Sequence, residues 1–286
     1  MSHTYDQPPR HANALRARIR NIARAQDLLE DRLTYTVSMT VIAQMLRGGV
    51  VKGGTAISLR GGQHTTRFSK DIDAIRPAGG DVNAYVDELR DQLGEGWNGF
   101  TATIRPGRQA KPVGIPEEDL MAPFRVALSY CGGSIMTVDL ELVTDEVGSV
   151  TAVVEALAPE IAELFADLGF PQPRPVPVLA SEYQIVQKLH ACTTPDDKGG
   201  NDRSHDWVDI QALCRLEAPD RAELDRIGRI VFAARGAGPW PPTVAAFAGW
   251  ADKYPYEAEG TGVLSLEDAI VWANKLIDAA VAAGQR

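Results

Sequence analysis

Two aspartates, Asp71 and Asp73, stand two residues apart in Arg67-Phe68-Ser69-Lys70-Asp71-Ile72-Asp73. On a strand they project from the same face. Adjacent carboxylates repel unless a cation lies between them, and oxygen-only ligands suit a hard ion such as Mg²⁺. Just upstream runs Val51-Lys52-Gly53-Gly54-Thr55-Ala56-Ile57-Ser58-Leu59-Arg60, which reads as strand, glycine turn and helix. Backbone N–H groups at the start of such a helix can hold a phosphate. Either half alone is ordinary, since Asp-x-Asp often marks a solvated strand end and Gly-Gly a turn. Together, with Arg67 and Ser69 directly ahead of the aspartates, a metal pair beside a phosphate cradle points to nucleotidyl or phosphoryl transfer.

Other elements carry further chemistry. In Ile135-Met136-Thr137-Val138-Asp139-Leu140-Glu141-Leu142, the residues Val138, Leu140 and Leu142 form one apolar face, and Asp139 and Glu141 share the other. Gly132-Gly133 ahead of this strand reads as the turn of a hairpin with Phe124 to Tyr130. Later, Ile185 and Leu189 recur one helical turn apart with Lys188 beside their stripe. Arg203, Asp206 and Asp209, spaced at i, i+3 and i+6, fall along one side of a further helix.

These segments sit in a chain of 286 residues, long enough for two domains. Apolar spacing predicts a helix over 13–33 and another over 36–47, the latter stopping at Gly48-Gly49. Met1 to Pro9 reads as a loose tail. After the glycine turn come a polar helix over 82–93 and strands over 100–105, 124–130 and 135–142. The proline-rich stretch from Phe170 to Pro177 reads as a linker. Beyond it the pattern is helical, over 181–192, 204–217, 220–234, 243–251 and 266–283, with Ser265 and Asp268 as a capping box for the last helix. The expected division is an α/β half, 1–170, followed by an all-helical half, 171–286.

Here the chain resembles the DNA polymerase β-like nucleotidyltransferase superfamily, and within it the AbiEii/AbiGii toxin family, which includes the MenT-type toxins. That family carries K-G-G-T-x-L-x-L-R and then R-x-S-x-D-[IL]-D, both nearly intact here. Gly54-Thr55 stands where the superfamily has glycine-serine, keeping the hydroxyl. A second block, K-[LI]-x-A followed by R-x-x-D-x-x-D-[IL], is matched by Lys188-Leu189-His190-Ala191 and by Arg203 to Ile210. Many members have a basic residue before the first aspartate of that block; here it is His205, whose charge depends on pH.

The resemblance implies an α+β fold: a nucleotidyltransferase domain with a mixed or antiparallel sheet flanked by helices, then a helical domain that contributes Lys188 and Asp206 to the cleft. It implies a catalytic set of Asp71, Asp73, Asp139, Lys188 and Asp206. Asp71, Asp73 and Asp139 would hold Mg²⁺, or Mn²⁺ in its place; Glu141 is the runner-up for the third carboxylate. Lys52, Gly53, Gly54, Thr55, Arg67, Ser69 and Arg203 would bind the NTP co-substrate. Lys188 would bind the β/γ-phosphates, and Asp206 would hold Lys188 or Arg203 or order the nucleotide. The implied reaction moves a nucleoside monophosphate from an NTP to an acceptor hydroxyl. For MenT-type relatives the acceptor is the 3′ end of tRNA, and capping it halts translation. AbiEii-type relatives are paired with an antitoxin, which need not touch the toxin. The same metal site serves enzymes that modify small molecules or protein side chains, which is the alternative acceptor class. A catalytically silent NTP-binding module is a third reading, opposed by the retained Asp71, Asp73, Asp139 and Lys188.

Composition narrows the partners. Net charge is −9, so the whole molecule is no general polyanion binder. Residues 1–60 nevertheless carry nine Lys/Arg against four acids, and Arg16, Arg20 and Arg24 recur every four residues on one helix stripe. That stripe is expected to share a face with the active-site mouth and meet RNA phosphates. The basic segment from Arg105 to Lys111 is a second place to guide an RNA end, and His64 lies in the loop between the two signature segments. Trp240 and Trp250 read as packing residues. Three cysteines without metal-ligand spacing predict a reducing, cytoplasmic setting. No apolar run suits a bilayer span, so no membrane partner is expected.

Overall fold

The computed structural model describes residues 5–62, 66–76, 82–107, 122–145, 147–236 and 238–286. The chain forms two compact units. One comprises Met1–Gln63, Phe68–Asp145 and Val153–Val178; the other comprises His64–Arg67, Glu146–Ala152 and Leu179–Arg286.

The first unit is a mixed sheet with helices. Its elements are α1 (Ala12–Ala25), α2 (Glu30–Met45), β1 (Val50–Lys52), α3 (Gly53–Gly61), β2 (Asp71–Ile75), α4 (Val82–Glu95), β3 (Phe100–Pro106), β4 (Ala122–Tyr130), β5 (Gly133–Val143), β6 (Val153–Ala156), α5 (Pro159–Asp167) and β7 (Val176–Leu179). The seven strands order as β3-β4-β5-β2-β1-β7-β6. β2 runs antiparallel to β1 and parallel to β5; β4 runs antiparallel to both β3 and β5. The expected α+β architecture is therefore present, and the proline-rich stretch runs directly into β7, parallel to β1.

One face of the sheet is apolar. Ile72, Ala74, Val138, Leu140 and Leu142 join a buried core with Leu15, Ile19 and Ile22 of α1 and Val37, Val41 and Ile42 of α2. Each of the Val, Leu and Ile side chains among them contributes about 1.5–3 kcal/mol by leaving water. The side chains between them, Asp71, Asp73, Asp139 and Glu141, alternate to the other face.

The first long helix expected over 13–33 is broken in two. Asp27 takes a left-handed φ of 54°, a conformation aspartate tolerates better than most residues, and the chain restarts as α2 with Glu30 and Asp31 in its first turn. Residues 5–9 are anchored, contrary to the loose-tail reading. The Tyr5 N–H donates to the Asp167 carbonyl at 3.1 Å, and the buried Tyr130 hydroxyl donates to the Pro9 carbonyl at 2.6 Å.

The second unit contains α6 (Ser181–Thr193), α7 (His205–Leu216), α8 (Arg221–Arg235), α9 (Trp250–Ala258) and α10 (Leu266–Gly284). Ser265 caps α10 by accepting from the Asp268 N–H at 3.2 Å, and its hydroxyl donates to the Asp268 carboxylate. The helix expected over 243–251 is displaced. Gly249, at a φ of 84°, interrupts it, and the helix runs from Trp250 to Ala258. Trp250 is fully buried and donates to the Asn201 carbonyl at 2.7 Å; Trp240 donates to Asp225 at 2.7 Å. Both tryptophans are packing residues.

Candidate active site

The carboxylate face of the sheet is organised in cross-strand rows. Lys52, Asp73 and Glu141 lie opposite one another across β1, β2 and β5. One row along, Asp71, Asp139 and Arg125 lie opposite one another across β2, β5 and β4. Among the described residues these two rows set four carboxylates beside two cations.

The two candidate third carboxylates differ in setting. Asp139 is 68% exposed and meets the Arg125 guanidinium at 3.4 Å. Glu141 is half-buried opposite Asp73. Its carboxyl is held above the usual range, first by burial and then by the Asp73 and Asp71 carboxylates, with Lys52 pulling the other way. Among the described residues no three His, Cys, Asp or Glu side chains converge to ligate one ion as they stand. Mg²⁺ commonly takes only one or two carboxylates and fills its shell with water and substrate phosphates. An oxygen-only donor set fits that ion.

The glycine turn abuts these carboxylates. Gly53 has a φ of 66°, and a Cβ there would stand 2.0 Å from Asp73 Oδ2. Only glycine meets both demands. Lys52, the residue before α3, gives that helix no side-chain cap. Thr55 is 2% exposed, and its hydroxyl donates to the Asp71 carbonyl at 2.6 Å, tying α3 to the start of β2. The Ser69 hydroxyl reaches the same carbonyl at 3.4 Å.

Lys188, Asp206 and Arg203 come together in the second unit, with Arg67 and Asp209. The Lys188 ammonium donates to Asp206 and to Asp209, each at 2.7 Å. Arg67 grips Asp209 with two bonds of 2.8 Å, and Arg203 meets Asp206 at 3.3 Å. Burial alone pulls the Lys188 ammonium down, but the Asp206 and Asp209 carboxylates outweigh it and raise its pKa. Burial likewise pushes the Asp209 carboxyl up, yet Lys188 and Arg67 override it and hold it at about 2. His205 lies 3.6 Å from Asp206 and 3.9 Å from Glu257, and its pKa is lowered, chiefly by burial.

The arginine stripe of α1 is not placed as expected. Arg20 is ion-paired with Glu30 at 2.9 Å, and Arg16 donates to Asn13 at 3.0 Å and to the Ser134 carbonyl. Leu15, Ile19 and Ile22 of the same helix pack in the core with the apolar face of the sheet, the face opposite the carboxylates. Arg105 proves to be a strand residue of β3. His64 and residues 108–111 lie outside the described residues.

A family model described as nucleotidyl transferase AbiEii toxin, type IV TA system, matches residues 46–278, which takes in every element of both clusters. The chain belongs to this family. It is accordingly a nucleotidyltransferase of the AbiEii toxin group. No curated protein matches the chain. Among solved structures, MenT4, a nucleotidyltransferase toxin from Mycobacterium tuberculosis H37Rv, aligns with a TM-score of 0.53 over 94% of this chain and 98% of that one, at 16% identity. JHP933 from Helicobacter pylori aligns at a TM-score of 0.44 and 17% identity, over 90% of this chain and 94% of that one. What the chain shares with MenT4 at this identity is the fold.

Two residues of this AbiEii-family chain gain weight beyond the sequence-predicted set. Asp209 binds both Lys188 and Arg67, and its signal was its place three residues after Asp206. Arg125 stands beside Asp139 with no local sequence signal, because its neighbour is set by strand order and register.

Proposed function

We propose that this toxin is a Mg²⁺-dependent enzyme that transfers a nucleoside monophosphate from an NTP to the 3′ end of an RNA. The acceptor we assign is tRNA, and blocked translation is the consequence. The observation that carries the proposal is the pair of carboxylate rows on one sheet face, against a glycine turn that starts a helix.

In this reading Asp71 and Asp73, with Asp139 or Glu141 beside them, hold the ion. When bound, the ion supplies charge stabilisation at the phosphorus and lowers the pKa of the acceptor hydroxyl. The Gly53, Gly54 and Thr55 backbone N–H groups face the triphosphate at the start of α3, and Lys52 and Ser69 flank it. The acceptor 3′ oxygen forms a bond to the α-phosphorus as the bond to the β-phosphate oxygen breaks, and pyrophosphate departs. Asp139, solvated and close to Asp71, takes the hydroxyl proton. Lys188, held charged by Asp206 and Asp209, offsets the charge gathering on the pyrophosphate. Arg67 and Arg203 brace that pair of aspartates. The reaction belongs in the cytoplasm, where tRNA and NTPs are found, and a cognate antitoxin counters it.

The test incubates the protein with Mg²⁺, each labelled NTP in turn, and total tRNA. Labelled tRNA with one NTP is the expected product. Label appearing on protein or small molecules, and none on RNA, would move the assignment to the other acceptor class. Among the described residues no helix is long and apolar enough to cross a membrane.

A further inference from the structure

The row that holds Asp71 and Asp139 does not stop at Arg125. On the far side of β4, Arg105 of β3 stands directly opposite Arg125, so the order across four strands is Arg105, Arg125, Asp139, Asp71. At about 4.8 Å per strand the row is about 14 Å long. Both arginines are exposed. Like charges directly opposite on antiparallel strands destabilise the pairing, and Asp139 compensates only Arg125. Among the described residues Arg105 makes no ion pair.

The surface around this row is open and small-featured. Thr101, Thr103 and Arg105 of β3 are exposed, while Phe100, Ala102 and Ile104 between them are buried on the helix-covered side. On β4 and β5 the same open face carries Arg125, Ala127, Thr137 and Asp139. Two guanidiniums on a platform of threonine and alanine, ending at a carboxylate cluster, complement a chain of phosphodiesters that finishes at a hydroxyl.

We propose that Arg105 and Arg125 form the docking rail for the acceptor: they bind backbone phosphates just upstream of the RNA 3′ end and lead its hydroxyl to Asp139 and Asp71. This rests on the RNA-acceptor reading given above. Arg125 then alternates between Asp139 in the free protein and an acceptor phosphate in the complex, which leaves Asp139 free to accept the hydroxyl proton.

The experiment compares the wild-type protein with the double variant Arg105→Glu/Arg125→Glu. The probe is a short 5′-fluorescein-labelled single-stranded RNA ending in CCA, read by fluorescence anisotropy over a series of salt concentrations. The double variant is expected to bind at least tenfold more weakly, and its slope of log K against log salt should fall by about 1.4, the value for two lost contacts on a single strand. Arg105→Gln/Arg125→Gln serves if charge reversal disturbs the sheet, and should lose the same slope. Arg24→Glu on α1 should change neither quantity. Affinity for a non-hydrolysable NTP, measured in parallel, should be retained in all variants. A double variant that keeps wild-type RNA affinity and slope would overturn the rail while the RNA-acceptor reading stands. Wild-type protein that neither binds this RNA nor labels tRNA would overturn both.

Discussion

The protein builds two clusters of aspartates, and they are opposites. On the sheet face Asp71, Asp73, Asp139 and Glu141 crowd together in rows shared with Lys52 and Arg125, and Asp139 is largely exposed. In the helical unit Asp206 and Asp209 are each 2% exposed, and each meets two cations at 3.3 Å or less. The first cluster reaches solvent at Asp71 and Asp139. The second is paired and dry.

This contrast predicts opposite responses to losing a carboxylate. Asp209→Ala takes from Arg67 the carboxylate it grips and leaves Lys188 with Asp206, and breaking such buried pairs costs about 3–5 kcal/mol. Urea unfolding should show it, and a loss under about 1 kcal/mol would refute the idea that the helical cluster is structural. Asp71→Ala or Asp73→Ala should leave unfolding nearly unchanged, since each removes a repelling charge. Transfer should instead fall by about 10²–10³-fold, as when an electrostatic stabiliser of a transition state is lost. Wild-type turnover in either variant would end the catalytic assignment of the sheet face.

The two regions also differed in how far the sequence exposed them. Asp71 and Asp73 were legible because their spacing, with the glycine turn, states a local geometry. Lys188 with Asp206 was legible only as a match to a family pattern, since nothing local says that residues on two helices will meet. Arg67 lay inside the first motif yet bonds Asp209, more than a hundred residues away, a contact that the motif itself could not announce. The arginine stripe of α1 was a correct reading of periodicity, but periodicity cannot tell which face of the sheet a helix will cover. Arg105 was read as part of a basic segment, but Arg125 and the pairing of the two became visible only through strand order, because register is a tertiary property.

Acid should separate the clusters further. The Asp209 pKa is depressed from 3.8 to about 2, so its ionised form stabilises the fold. That contribution is complete above the unfolded-state value and is lost as pH falls through about 2. A shift of this size corresponds to roughly 2 kcal/mol. Unfolding free energy measured from pH 6 down to pH 2 should therefore decline more steeply in the wild-type protein than in Asp209→Asn. Parallel curves would show that Asp209 is not the group responsible.

The smallest effect tests the sheet face at its most crowded point. Glu141 sits opposite Asp73 and is half-buried, so its negative charge repels Asp73 and Asp71 when no cation is present. Glu141→Gln keeps the shape and removes that charge. Without divalent ions the variant should be more stable than wild type by up to about 1 kcal/mol, the scale of one unfavourable cross-strand pair. With Mg²⁺ in excess the gain should shrink or reverse, because an ion that binds only the folded state stabilises the wild type by mass action and the variant offers it one ligand charge fewer. Thermal unfolding with and without Mg²⁺ reads both effects. The Asp139→Asn variant gives the control: with Asp139 exposed and beside Arg125, its metal-free stability should stay close to wild type. If the two variants respond alike to Mg²⁺, Glu141 has no special claim on the ion, and the difference drawn between the two carboxylates of β5 dissolves.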